Sequence, residues 1–319
     1  MYKLCKMKVA LLAALCVAAI VITTSFSVNA ASPPRAMAAC DPQNDVTTTT
    51  PRLFEYPYPP ESITDFEERV NYIVSHFWES VDLSKPIRDT VAFEVALRDY
   101  VDFFRYAHRE VVFSSIKDFM YKAQSNTSNT VLIMEMAERA LFGLNMVYWS
   151  DEVYLEFCRM FIDSKKVKQE QKIRYIDQVK RIENTLQNCV PVDFTAITPD
   201  KHKLKLSSIS GWVLIYFNEP DCFDCTITRL RLNTNQVISD YVEYGQLTVL
   251  AVYPGEWSQQ WVEDANSMPQ EWTYGCCESI DELYDIRFIP SFYLLNRDHK
   301  LVGKNLTLEE VQQLLAGGQ

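Results

Sequence analysis

The sequence predicts an all-α domain followed by an α/β domain with a central mixed sheet flanked by helices. Three observations carry that expectation. Residues 61–188 contain a single glycine, Gly143, and show one helical apolar stripe after another. Beyond Cys189 the texture changes to short β-branched and aromatic runs that alternate with helical patterns, the signature of an α/β sheet. Between one such run and the next helix stand two cysteines separated by two residues, Cys222-Phe223-Asp224-Cys225.

The chain opens with Lys3, Lys6 and Lys8, an apolar run over 9–22 and small residues ending in Asn29-Ala30-Ala31. That order is a secretory signal peptide cleaved after Ala30. The run is 14 residues long, short of the roughly 20 a spanning helix needs. A lipid anchor at Cys40 is the lesser alternative, because Pro33, Pro34 and Arg35 separate that cysteine from the apolar run. Export, to the periplasm before a lipid-anchored envelope position, is therefore the expected fate. Without its three lysines the chain sets 28 basic against 42 acidic residues, a formal charge of −14. Such a surface repels phosphate backbones and argues against nucleic-acid partners.

Residues 31–60 are rich in Pro, Thr and Ala and close on Tyr56-Pro57-Tyr58-Pro59-Pro60, which reads as an extended linker. The helical domain, 61–188, begins behind a Thr64/Glu67 capping box, with Phe66, Val70, Ile73, Val74, Phe77 and Trp78 on one face. Further stripes run through Phe93, Leu97, Tyr100, Val101 and Phe104, through Val112, Ile116, Phe119 and Met120, and through Ile133, Met136, Ala140, Leu141 and Leu144. Two more pass through Val153, Phe157 and Phe161 and through Ile176, Val179, Ile182 and Leu186. About six helices pack into one core, and the aromatic stripes belong to that core.

In the second domain, 189–319, the runs 213–217 and 247–253 predict buried strands. Residues 291–295 and 300–302 predict a hairpin around Asn296-Arg297-Asp298-His299, and a Thr307/Glu310 capping box opens a final helix. The cysteine pair follows the strand 213–217 after the turn Asn218-Glu219-Pro220-Asp221 and begins a helix. At a helix N-terminus, unpaired amides and the macrodipole favour a thiolate on the first cysteine. One turn then brings the second sulfur within reach of a mixed disulfide on the first.

These residues resemble the thioredoxin-like superfamily, and specifically the exported TlpA-like thiol-disulfide oxidoreductases, over about residues 191–316. The resemblance rests on the cysteine pair, on 191–195 as the first strand, on 207–212 as the segment before the central strand, and on Ile289-Pro290 as the cis-proline. It implies Cys222 as nucleophile and Cys225 as resolving thiol. It also implies Ile289 and Pro290 as the element against which a substrate backbone docks, with no cofactor beyond the redox-active disulfide. The implied partners are protein thiols and disulfides, with an electron-donating membrane redox partner to recycle the pair. The region 57–189 resembles a domain of unknown function that precedes thioredoxin-like domains in bacterial envelope proteins.

Departures from the family pattern concern tuning. Asp221 stands where thioredoxins have Trp, Phe223-Asp224 replace Gly-Pro, and Tyr216 occupies the place of their buried carboxylate, for which Glu219 or Asp224 would have to substitute. The acids at 219, 221 and 224 oppose the helix dipole, each by on the order of 1 kcal/mol or less, and so disfavour the Cys222 thiolate. That predicts a low-potential pair acting as a reductant.

Other readings of the cysteines compete. A structural disulfide at 222/225 is allowed by export but closes too small a loop to stabilise much. Zinc lacks a second knuckle, since Cys276 and Cys277 are adjacent. That adjacent pair is expected to comprise one buried and one surface thiol, while Cys158 and Cys189 are either bridged or two buried thiols. His76, His108, His202 and His299 fall in no ligand spacing. The alternative to an enzyme is an envelope binding or assembly module that uses the same fold as a scaffold.

Overall fold

The computed structural model describes residues 52–143 and 145–317, so the signal peptide, Cys40, most of the proposed linker and Leu144 lie outside the described residues. Six helices come first: α1 (Phe66–His76), α2 (Thr90–Phe103), α3 (Arg109–Ala123), α4 (Thr127–Leu141), α5 (Asp151–Ile162) and α6 (Gln169–Asn184). Their apolar stripes interdigitate in a single core, in which Trp78 stacks on Phe93 and Phe119 at 5.0 and 4.5 Å and Tyr100 lies edge-on to Phe104.

Local capping differs from the sequence reading at α1. The N-cap is Asp65, whose carboxylate accepts from the Glu68 amide at 2.9 Å, and not Thr64. A charged acceptor one residue later fixes the start, which leaves Phe66 at the first helical position and exposed, against Tyr106. Leu53, Phe54 and Tyr56, inside the stretch read as linker, pack on the helical core, and the Tyr56 hydroxyl donates to Asp99 at 2.7 Å. A run that anchors three large side chains behaves as part of the helical domain.

The second region is a seven-stranded mixed sheet: β1 (Thr195–Ile197), β2 (Lys203–Lys205), β3 (Trp212–Phe217), β4 (Leu247–Tyr253), β5 (Thr273–Cys276), β6 (Ser291–Leu295) and β7 (Leu301–Leu306), in the order β2-β1-β5-β4-β3-β6-β7. Strands β3, β4 and β5 are parallel, and β6 runs antiparallel to β3 with Phe217 opposite Ser291. The first strand begins at Thr195, later than 191–195 suggests, because the backbone before it bonds outside the sheet: the Val192 amide donates to the Asn184 carbonyl, and the Val192 carbonyl accepts from the Tyr284 hydroxyl.

Both faces of the sheet are covered. Val213, Ile215 and Phe217 lie in one cluster with Phe194, Tyr284 and Tyr293. Leu214 and Tyr216 lie in the other with residues of α7 (Phe223–Asn233), α8 (Gln236–Glu243) and α11 (Leu308–Gly317). The remaining helices are α9 (Gln259–Ala265) and the single turn α10 (Ile280–Leu283). The Thr307/Glu310 box caps α11 as the sequence indicates, with Oε2 of Glu310 accepting from the Thr307 amide at 2.8 Å. The described residues all belong to one compact unit.

Candidate functional site

The parallel strands β3, β4 and β5 end on the same edge of the sheet, where antiparallel β6 begins. The register Phe217 to Ser291 therefore sets Pro290 beside Asn218, the residue that leaves β3 toward the cysteines. Asn218 is buried, and its side-chain amide donates to the Tyr216 and Val252 carbonyls at 3.1 and 3.4 Å, tying the end of β3 to β4. The loop that follows starts from a fixed point. Asp221, just before the first cysteine, takes a left-handed backbone with φ 57°. That conformation turns the chain so that Cys222 becomes the N-cap of α7.

Cys222 and Cys225 are joined in a disulfide with Cα atoms 5.2 Å apart. The two sulfurs are not equivalent. Cys225 is 5% exposed, whereas Cys222 is half-buried. Sγ of Cys222 accepts the Cys225 amide at 3.0 Å, so a helix-end donor already points at the sulfur on which thiolate charge would form. Beneath the pair, the buried Tyr216 hydroxyl donates to the Cys225 carbonyl at 2.6 Å. Burial holds that phenol well above its ordinary pKa, so it stays a neutral donor. The peptide bond Ile289-Pro290 is cis.

Glu219, Asp221 and Asp224 are all exposed around the pair. Neither Glu219 nor Asp224 can therefore be the buried proton acceptor, because water solvates each of them. The half-buried Asp264 of α9 is the acid within electrostatic reach of Tyr216, opposed there by Arg229. Phe223 is 75% exposed, and with Ile227 and Leu230 it forms an uncovered apolar stripe leading away from the disulfide.

The other cysteines depart from expectation. Cys276 and Cys277 are both buried free thiols. Strand β5 is interior to the sheet, so successive side chains at its end meet a covered face on either side: Cys276 joins the Trp261 cluster and Cys277 the Tyr284 cluster. Burial pushes the Cys276 thiol up to about 11 and raises that of Cys277. Cys158 is a free buried thiol while Cys189 is disulfide-bonded, so these two are not bridged to each other. Among the described residues, no group of acids, histidines and cysteines is arranged to hold a metal ion.

A crystal structure of a thioredoxin-like protein from Bacteroides caccae superposes with a TM-score of 0.75 at 24% identity, over 85% of this chain and 100% of that one. The chain has the thioredoxin-like fold. Residues 34–185 match the family described as a domain of unknown function, DUF5106, so a DUF5106 domain precedes the thioredoxin-like domain. Shorter similarities include a conserved protein of unknown function from Bacteroides fragilis (30% identity, 39% of this chain, 94% of that one, TM-score 0.37). The thioredoxin domain of a thiol-disulfide oxidoreductase from Bacteroides vulgatus is a further one (16% identity, 42% and 97%, TM-score 0.37). No curated protein matches the chain.

The cysteines singled out in the sequence are paired in a disulfide and the Ile289-Pro290 bond is cis, but the burial of Asn218 and the charged surroundings of Tyr216 were missed. An Asn ahead of Glu-Pro-Asp reads only as turn chemistry, and nothing in the sequence separates a buried Asn from a solvated one. Tyr216 drew notice as a missing carboxylate, not as a hydrogen-bond donor.

Proposed function

We propose that the chain is a thiol-disulfide oxidoreductase of the bacterial cell envelope that exchanges disulfides through Cys222 and Cys225, in the reducing direction. The observation that carries the reading is the asymmetry of the pair: an accessible first sulfur at a helix N-terminus, and a buried second sulfur one turn inside. In the dithiol state, the Cys222 thiolate attacks one sulfur of a substrate disulfide, forms the mixed disulfide and expels the other sulfur as a thiolate. Cys225 then gives up its proton and attacks Sγ of Cys222, which releases the second substrate thiolate and leaves the enzyme disulfide. Two electrons pass to the substrate, and a dithiol donor must return them. The membrane redox partner fills that role in this proposal, with no bound cofactor.

Ile289 and Pro290 lead into β6 at the end of the sheet where β3 runs out at Asn218, the end from which the chain continues to Cys222, and in this proposal an extended substrate backbone docks there. The exposed Phe223 offers apolar contact at the same place. Reduction as the direction is supported by the three exposed acids around the helix start, which disfavour the thiolate and hence the dithiol.

Equilibration of the mature protein with dithiothreitol or glutathione, with free thiols counted by mass spectrometry, tests the reading. A reversible couple at low potential is expected, and Cys225→Ser should accumulate mixed disulfides on Cys222. A pair that never exchanges would instead favour the binding module, built on the apolar stripe.

A further inference from the structure

Polar contacts from the helical domain reach β7, where the Asn188 amide donates to the Leu301 carbonyl and the Gln187 side-chain amide to that of Val302, and one short run of chain, 281–287. From α6, the Arg181 guanidinium donates to the Asp281 carbonyl at 3.2 Å and the Asn184 amide to the Leu283 carbonyl at 3.0 Å. From the start of α5, the Asp151 carboxylate accepts Nη2 of Arg287 at 2.8 Å and Nζ of Lys304 at 2.7 Å. Asp285 completes the network, receiving Arg287 at 3.0 Å and Lys304 at 2.9 Å. Four charges thus meet with side-chain exposures of 16% for Asp151, 4% for Arg287, 3% for Asp285 and 6% for Lys304. Two aromatic rings from the helical domain, Phe142 and Trp149, hold the guanidinium at 4.2 and 4.3 Å.

The sheet holds the same run from behind. Asn305 on β7 accepts the Arg287 amide at 3.2 Å and donates to the Asp285 carbonyl at 2.9 Å, and the Tyr293 hydroxyl donates to that carbonyl at 2.6 Å. The segment 285–287 is therefore fixed on one side by β6 and β7 and on the other by the helical domain. Ile289 stands two residues beyond it and Pro290 three. A buried ion network contributes little net stability for its desolvation cost, and its best-attested use is to specify one geometry.

We propose that Asp151, with Phe142 and Trp149, is a positioning element for disulfide exchange: the helical domain braces the run that presents Ile289-Pro290 and thereby sets how a protein substrate docks beside Cys222. The inference rests on the oxidoreductase reading for its kinetic consequence and on geometry alone for its structural one. Asp151 touches no reacting atom and acts through Arg287.

The experiment compares full-length mature wild type with Asp151→Asn, which keeps the shape and removes one charge. Amide hydrogen exchange is followed over 285–295, and reduction of insulin is compared with exchange against oxidised dithiothreitol. Exchange at 287–291 should accelerate, and KM for insulin should rise on the order of tenfold, with the dithiothreitol rate changed by less than about twofold. Unchanged protection at 287–291, or equal slowing toward insulin and dithiothreitol, overturns the proposal. If Asp151→Asn does not fold, Trp149→Ala leaves each charge paired and takes its place. A wild type that exchanges with neither substrate would sink the oxidoreductase reading, and the protection data would still decide for or against the brace.

Discussion

At the scale of single residues, reactivity follows from where each sulfur sits. Cys222 is within reach of solvent and faces a helix-end amide, while Cys158, Cys276 and Cys277 are enclosed in apolar surroundings. Burial pushes the Cys158 thiol up to about 12 and that of Cys276 to about 11, from an ordinary value of 9.0. Their folded pKa values lie above the unfolded ones, so the associated stability is complete below about pH 9 and is lost as pH rises toward 11 and 12. Thermal melts should hold steady from pH 6 to 8 and fall above pH 9, and alkylation of the native protein at pH 8 should spare these three thiols. At the Cys222/Cys225 pair, Asp221→Asn and Asp224→Asn should each raise the reduction potential by up to about 20 mV, since removal of a charge worth about 1 kcal/mol or less eases thiolate formation. A shift toward lower potential would mean that these acids do not oppose the thiolate.

Elements were legible where their cause is local. The runs 213–217 and 247–253 gave themselves away as strands because both sheet faces are covered and every position but Thr248 is apolar or aromatic. The α11 cap was readable because its partners lie three residues apart. By contrast, β1 and β2 have three residues each, and Lys203 and Lys205 interrupt any pattern, so only pairing across the sheet defines them. The burial of both Cys276 and Cys277 was hidden for the same reason, since a strand's place within a sheet is a property of topology.

Close approach between two of these elements makes a prediction. A Cβ at Gly275 on β5 would lie 2.5 Å from the Ala196 Cβ on β1. Gly275→Ala should therefore cost about 1–3 kcal/mol in urea unfolding by forcing the strands apart. Tyr216→Phe removes the donor to the Cys225 carbonyl and should cost about 1 kcal/mol, with a larger effect on the second step of exchange than on the first.

For the whole molecule, the helical core and the sheet were each predictable from periodicity, but their junction was not. Asp151 and Arg287 are separated by 136 positions, and no spacing rule links them. Arg287 between Ile286 and Phe288 was the one available signal, a cation in an apolar run. Its loss would leave two buried carboxylates to a single lysine, and Arg287→Ala should destabilise the protein by about 3–5 kcal/mol in equilibrium unfolding. A much smaller loss would show that water reaches the network freely.

The texture change near Cys189 is thus a seam in the sequence that the electrostatics do not respect. Cut the chain there and the carboxylate of Asp151 leaves with one fragment, while Arg287 and Lys304 stay on the other with Asp285 alone, an unmatched cation two residues from Ile289. Neither piece is self-contained in charge. A chimera that grafts this thioredoxin-like domain onto a foreign helical partner would have to carry an acid and two aromatic rings across with it, so the two halves are not interchangeable parts.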